Sequence, residues 1–147
     1  MIFEKGGKLY RRYDKELLCL EPYGKNGLRV RATQLSEFSD ERLSALIEPE
    51  EKAENAKVWV DGKTGYIENG KILCKVLRTG KMKFYDGHGK LLLEDYEKNR
   101  FRENDPEEKD SALEIAPRTF TPHLGTNSYK LSVKFEAKED EKFYGMG

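Results

Sequence analysis

The side chains best suited to chemistry in this sequence are two histidines, two cysteines and many carboxylates. His88 lies between Gly87 and Gly89, and His123 follows Pro122, so the histidines belong to different elements. They could bind a metal as a pair or act as a base, but we expect an exposed turn position for His88 and a loop contact for His123. The sequence has no Cys/His cluster with zinc-ligand spacing and no glycine-rich nucleotide-binding motif, so neither a metal nor a cofactor is expected.

The carboxylates are numerous, with 27 aspartates and glutamates among 147 residues. Glycoside hydrolysis needs only two carboxylates at a suitable separation. Here they fall mostly in charged runs such as residues 136–142, which are typical of solvated faces, and abundance alone selects no pair. The serines lack the G-x-S-x-G motif of hydrolase nucleophiles. We therefore expect no catalytic residue in this chain.

Aromatic residues form the third group, with eight tyrosines, seven phenylalanines and one tryptophan. Flat rings can stack on the apolar faces of sugars, but they also pack well on pleated strands, and that structural role is the more common one. Trp59 lies between Val58 and Val60 and faces the opposite side of a strand from both. The candidates for a sugar-binding surface are Tyr10, Tyr13, Tyr23, Trp59, Tyr66, Tyr96 and Tyr129.

The elements that would position these side chains are strands. Apolar and polar residues alternate along most of the chain, as in residues 28–33 and 129–136. Successive side chains of a strand point to opposite faces, so each run has one apolar face for a core and one charged face for water. The pattern predicts strands at 8–13, 16–21, 27–34, 57–61, 64–68, 71–78, 81–85, 90–95 and 128–137.

Glycine-containing turns separate these runs. Asp61-Gly62 and Asn69-Gly70 predict tight hairpin turns of type I′, and residues 24–27 and 86–89 connect other strands. Short strands with a turn roughly every ten residues predict an all-β fold, either an antiparallel sandwich or a barrel. The length predicts one domain over residues 1–147.

One acidic segment, residues 36–56, interrupts the alternation. Its leucines and isoleucine have helix-like spacing, Ser39 or Asp40 could cap a short helix, and Pro49 would end it. A loop crossing between two sheets is the alternative. Residues 102–111 contain no apolar side chain and predict an exposed loop.

Composition excludes several classes of function. Lysine plus arginine and aspartate plus glutamate both number 27, so the chain lacks the basic excess of a nucleic-acid binder. Residues 1–8 contain no apolar stretch of a signal peptide, and no segment has the ~18 apolar residues of a membrane span. A cytoplasmic protein without membrane contact is expected. Cys19 and Cys74 lie in apolar runs, which indicates buried free thiols, with a disulfide as the alternative.

Several short segments resemble a known enzyme family. Residues 68–76 contain an Asn-Gly-Lys turn and a strand, residues 80–94 contain an aromatic strand followed by Asp-Gly-His-Gly-Lys-Leu-Leu-Leu-Glu, and residues 141–147 contain Phe-Tyr-Gly-Met-Gly. Residues 29–32 look like the family's early Arg-Val-Arg strand. In this order and at these spacings, the segments are similar to the N-terminal domain of glycoside hydrolase family 31, the α-glucosidase and α-xylosidase family, and especially to its bacterial α-xylosidase-like branch.

The resemblance implies a galactose-mutarotase-like β-sandwich at the front of an enzyme of carbohydrate metabolism that hydrolyses α-linked glycosides with retention. In the family, the nucleophile and the acid/base are aspartates of a downstream (β/α)₈ barrel. No catalytic residue therefore transfers to this chain, and no activity is expected of it alone. The family's sandwich packs on that barrel and lends a loop to the substrate pocket just after the Phe-Tyr-Gly-x-Gly segment. Phe143 and Tyr144 are thus candidate substrate-binding residues, with core packing as the alternative.

The resemblance also implies that the sandwich is incomplete, because the chain stops at that segment and the barrel is absent. A sheet cut before its last strands has unpaired edges, so we expect self-association through an edge or an apolar patch. Two other functions stay open. One is a free-standing carbohydrate-binding module, which an exposed patch of coplanar aromatic rings would distinguish. The other is a structural or interaction domain unrelated to sugars.

Overall fold

The computed structural model describes residues 1–39, 46–47, 49–98 and 113–142, and over these residues the protein is all β. Within them, no helix is long and apolar enough to span a membrane. The strands are β1 Ile2–Lys5, β2 Lys8–Tyr13, β3 Glu16–Tyr23, β4 Gly27–Thr33, β5 Lys57–Asp61, β6 Thr64–Asn69, β7 Ile72–Val76, β8 Met82–Asp86, β9 Leu91–Glu94, β10 Arg118–Pro122 and β11 Tyr129–Val133.

The strands form an antiparallel sandwich. One sheet has the order β1-β2-β3-β4, the other has the order β5-β6-β7-β8-β9, and β10 and β11 form a hairpin. Each strand pairs with its neighbour in sequence, as the predicted turns require. The core between the sheets contains buried side chains from β2, β3 and β6–β8: Leu9, Leu18, Leu20, Ile67, Cys74, Val76 and Met82.

The β10–β11 hairpin continues the five-stranded sheet beyond β9. The amide of Tyr96 donates to the carbonyl of Lys134 at 2.9 Å, and the amide of Glu136 donates to that of Glu94 at 2.9 Å. Asp95 and Phe135 form the bridge between them. The hairpin is therefore held to the sheet by a short ladder at one end of β11.

Two strands were not predicted. They are β1, which has only four residues at the N-terminus, and β10, Arg118–Pro122. In β10 the buried side chain is Arg118 rather than an apolar residue, so the strand lacks the alternation that identifies the others. β11 is also shorter than the predicted strand at 128–137, because pairing with β10 ends at Val133.

The predicted type I′ turns are wrong in detail. Asn69 pairs with Ile72, so the loop residues are Gly70 and Lys71, and only the glycine has a positive φ, 60°. Gly62 holds the same position in the β5–β6 hairpin, with φ 57°. Glycine with positive φ at the first loop position is the pattern of a type II′ turn.

The segment at residues 36–56 joins β4 of one sheet to β5 of the other, as the loop alternative predicts. Its described parts, residues 36–39, 46–47 and 49–56, contain no helix. The rest of the predicted helix lies outside the described residues, as does the predicted loop at 102–111.

Candidate packing surface

An apolar groove opens between β4 on one side and β8, β9 and β11 on the other. Its cavity has a volume of about 520 Å³. Five of the apolar side chains that line it are between 37% and 49% exposed: Val30, Leu92, Leu131, Val133 and Phe135. Contiguous exposed apolar surface of this kind is typical of a site where another protein surface, a membrane or a ligand binds.

The alternation of β4 and β11 produces this groove. Val30 pairs with Leu20 of β3, which is fully buried, so both side chains point to the inside of the sandwich. Among the described strands β4 is the edge of its sheet, bonded to β3 alone. Leu131 and Val133 lie on one face of β11 and line the groove from the other side. The inward faces of two strands thus meet in an apolar cleft.

A buried cluster of charged residues lies where β10 meets the two sheets. Arg118 donates to the carboxylate of Asp95 at 2.8 Å, to Glu16 at 3.1 Å and to the carbonyl of Gly80 at 2.6 Å. Its side chain is 2% exposed and that of Asp95 is fully buried. These contacts join β10 to β3, to the β7–β8 turn and to the end of β9, so Arg118 fixes the hairpin that forms one wall of the groove.

Arg11 of β2 completes the cluster. It donates to the carbonyls of Arg78 and Thr79 and to the carboxylate of Glu16, at 2.8–3.2 Å. Glu16 therefore lies between two guanidinium groups, Arg11 and Arg118. The cluster has the character of a structural clamp, because its carboxylates are occupied by arginines that are themselves bonded to the backbone.

Burial dominates the electrostatics of this clamp. It raises the pKa of Asp95 above its ordinary value, although Arg118 and the amide of Met82 oppose the shift by bonding the carboxylate. Burial likewise lowers the pKa of Arg11, against the attraction of Glu16. Separating Asp95 from Arg118, or Arg11 from Glu16, would leave a buried charge with neither water nor a counterion.

The predicted site residues are not brought together by the described structure. Phe143 and Tyr144 lie outside the described residues. His88 is exposed in the β8–β9 turn, as expected, and His123 is exposed in the β10–β11 turn. Among the described residues, no group of three or more His, Cys, Asp or Glu side chains is placed to hold a metal ion.

The seven aromatic candidates are scattered over the fold. Tyr13 is exposed at the β2–β3 turn, and Tyr129 hydrogen-bonds to Thr33 of the other sheet at 2.8 Å. Trp59 and Tyr66 are adjacent on the outer face of the five-stranded sheet, where their rings stack. Tyr10, Tyr23 and Tyr96 are half-buried. The candidate rings thus include one stacked pair, and the other five lie apart from one another.

Cys19 and Cys74 are free and fully buried, which confirms the prediction of buried thiols. Burial raises the pKa of both, and that of Cys74 well above its ordinary value. Burial therefore disfavours the reactive thiolate form of both cysteines in the folded protein.

Sequence reasoning missed the clamp and the groove. One signal was present: Arg11 shares the face of Leu9 in β2, so period two places it inside the sandwich. Arg118 gave no such signal, because its partners Glu16, Gly80 and Asp95 are distant in sequence.

Comparison with known proteins places this geometry in a family. The sequence profile described as the glycosyl hydrolase 31 N-terminal galactose mutarotase-like domain matches residues 17–147. The chain is 38% identical over 152 aligned positions to an uncharacterised family 31 glucosidase, ORF2, of Pseudescherichia vulneris, and covers 28% of that protein. Its sequence is 33% identical to that of a GH31 α-xylosidase from a soil metagenome, whose crystal structure is a complex with xylose. That match has a TM-score of 0.83 and covers 95% of this chain but 21% of the enzyme.

Both relatives are much longer than this chain, which spans about a quarter of their lengths. The all-β fold, the antiparallel sheets and the matched residues agree with one another. The chain belongs to the family of glycosyl hydrolase 31 N-terminal galactose mutarotase-like domains.

Proposed function

We propose that this chain is the non-catalytic N-terminal β-sandwich portion of a retaining α-glycosidase, either an α-xylosidase or an α-glucosidase. In the complete enzyme it would support the catalytic barrel and help to shape the pocket for an α-linked carbohydrate. The proposal includes a cytoplasmic location, which cell fractionation tests. The observation that supports the role within a larger enzyme is the apolar groove. It is a docking surface in a domain that spans only a fraction of its relatives' length.

The groove has the properties of a surface that is covered within a larger protein. Its exposed side chains include Leu131 and Val133 of β11, a strand whose opposite face carries Lys130 and Ser132. Burying apolar surface is worth roughly 25 cal/mol per Å², so covering several half-exposed side chains would stabilise the assembly appreciably. We assign the occupant as polypeptide of the same parent enzyme, because the relatives that match this chain carry most of their length outside the matched part.

The test is reconstitution from two polypeptides. This chain and the barrel-containing remainder of its parent are expressed separately and mixed, and their association is measured by calorimetry. Leu131→Ser combined with Phe135→Ser should weaken association at least tenfold, because both side chains line the groove. Leu124→Ser is the matched control, since Leu124 is 96% exposed in the β10–β11 turn and outside the groove.

Activity gives a second readout. The isolated chain should not hydrolyse aryl α-xylosides or aryl α-glucosides, and turnover by a pure sample would contradict a non-catalytic role. A parent reading frame that ended at Gly147 would also overturn the proposal.

Self-association of the isolated chain is part of the same proposal. With the groove uncovered, two copies should associate through it or through the edge strand β4. Sedimentation across a wide concentration range should therefore show a concentration-dependent dimer. The Leu131→Ser, Phe135→Ser variant should lose a dimer that forms through the groove and keep one that forms through β4. A clean monomer at every concentration would rule out self-association but would leave the reconstitution result to decide the main proposal.

A further inference from the structure

The outer face of the five-stranded sheet carries a stacked aromatic pair that the core does not use. Trp59 of β5 and Tyr66 of β6 are cross-strand partners, and their rings stack with centroids 5.0 Å apart and planes within 6°. Val58, the neighbour of Trp59, packs against the core, so Trp59 points outward. Trp59 remains 39% exposed despite the stacking.

One face of the indole is available. β5 is the edge of its sheet, with β6 on one side and no described strand of that sheet on the other. Tyr66 therefore covers one face of Trp59, while the opposite face is turned beyond the sheet edge. Because the rings are stacked instead of lying side by side, the platform is one ring wide.

Polar side chains flank this platform on the same face. Lys75 pairs across the sheet with Tyr66, and Lys57 pairs with Glu68 in the adjacent row. Within the described part of the chain, the side chains of Lys57, Glu68 and Lys75 make no ion pair or hydrogen bond. The surface thus offers an open aromatic face with two lysine donors and one glutamate acceptor beside it. The positive charge of the two lysines would repel a cationic ligand.

We propose that Trp59 and Tyr66 form a saccharide-docking site on the outer face of the five-stranded sheet. The open face of Trp59 would stack on one pyranose unit of a neutral oligosaccharide, and Lys57, Glu68 and Lys75 would bind its hydroxyls. The inference rests on the proposed function, because it supplies a carbohydrate chain as the ligand. An aromatic ring suits such a ligand because it combines a large apolar face with little conformational entropy to lose.

The site is independent of the groove. Ile72 and Phe84, which line the groove, lie on the inward face of the same sheet, and Trp59 and Tyr66 lie on the outward face. Covering the groove with another part of the enzyme therefore leaves the aromatic pair's face of the sheet unaltered.

Trp59 is the only tryptophan of the chain, so its fluorescence reports this site alone. The 147-residue chain is titrated with malto-oligosaccharides and with xylo-oligosaccharides, and sorbitol serves as a control that has hydroxyls but no ring. We expect a saturable change in emission with at least one oligosaccharide series at millimolar concentrations and none with sorbitol.

Calorimetry then separates the residues. Trp59→Ala should weaken binding at least tenfold, and Trp59→Phe should retain part of it. Tyr13→Ala should leave it unchanged, because Tyr13 is 66% exposed but lies in the other sheet. The absence of a fluorescence response to both series, or equal binding by Trp59→Ala and the unmodified chain, would overturn the inference.

The two proposals fail separately. Trp59→Ala should associate normally with the barrel-containing polypeptide, whereas Leu131→Ser with Phe135→Ser should keep the fluorescence response. If the unmodified chain fails to bind either oligosaccharide series while reconstitution is intact, only the docking site is rejected.

Discussion

Arg118 and Asp95 form an ion pair that is fully enclosed by the protein, with Nη1 and Oδ2 2.8 Å apart. Arg118→Ala would leave the carboxylate buried without its counterion and would free the carbonyl of Gly80. We expect the free energy of unfolding in urea to fall by about 3–5 kcal/mol. Lys130→Ala, an exposed change in the same hairpin, should cost less than about 0.5 kcal/mol. Equal stability of the two variants would show that the clamp does not hold β10.

The strands that could be predicted from the sequence are those with an apolar core-facing side. β2, β4–β8 and β11 have apolar residues such as Leu9 and Ile67 at alternate positions, and β3 and β9 are short apolar runs. The turns between these strands contain glycine or aspartate. The period of the side chains determines which face is buried, so these strands follow from local sequence alone.

The groove and the clamp could not be predicted in the same way. Alternation in β4 and β11 predicts an apolar face for each, but only the pairing of the hairpin with β9 places both faces in one cleft. Arg118 bonds to Glu16, which is 102 positions away in sequence. Local pattern carries no information about contacts of that separation, and the family resemblance supplied the fold without these contacts.

Gly70 and Gly62 hold equivalent turn positions with nearly equal φ, 60° and 57°, but their surroundings differ. A Cβ at Gly70 would overlap Asn26 and the backbone of Lys25, whereas a Cβ at Gly62 would meet nothing within 4 Å. Both alanine variants carry the strain of a left-handed backbone, roughly 1–2 kcal/mol. Gly70→Ala should lower the free energy of unfolding in urea by roughly 1–3 kcal/mol more than Gly62→Ala does, because the added Cβ would push the β6–β7 turn away from the β3–β4 turn. Equal costs would mean that this contact between the sheets contributes little.

The thiols of Cys19 and Cys74 should react only when the protein unfolds. Both are buried, and burial raises their pKa, so the thiolate fraction at pH 8 is lower than that of an exposed cysteine. We expect almost no labelling by a disulfide reagent in buffer and two equivalents in guanidinium. Labelling in buffer that matches the denatured rate for either thiol would show that the sandwich opens readily around it.

The Asp86 carboxylate organises the β8–β9 turn by accepting hydrogen bonds from the amides of His88 and Lys90, both at 2.9 Å. These amides lower the pKa of Asp86 below its ordinary value. A carboxylate with a depressed pKa contributes stability above its unfolded pKa, about 4, and loses that contribution as the pH falls through the folded pKa. NMR should therefore show the two amides titrating together with Asp86 below pH ~4. In Asp86→Asn the side-chain oxygen can still accept both bonds but does not ionise, so their acid response should disappear. A response that persists in this variant would assign the titration to another group.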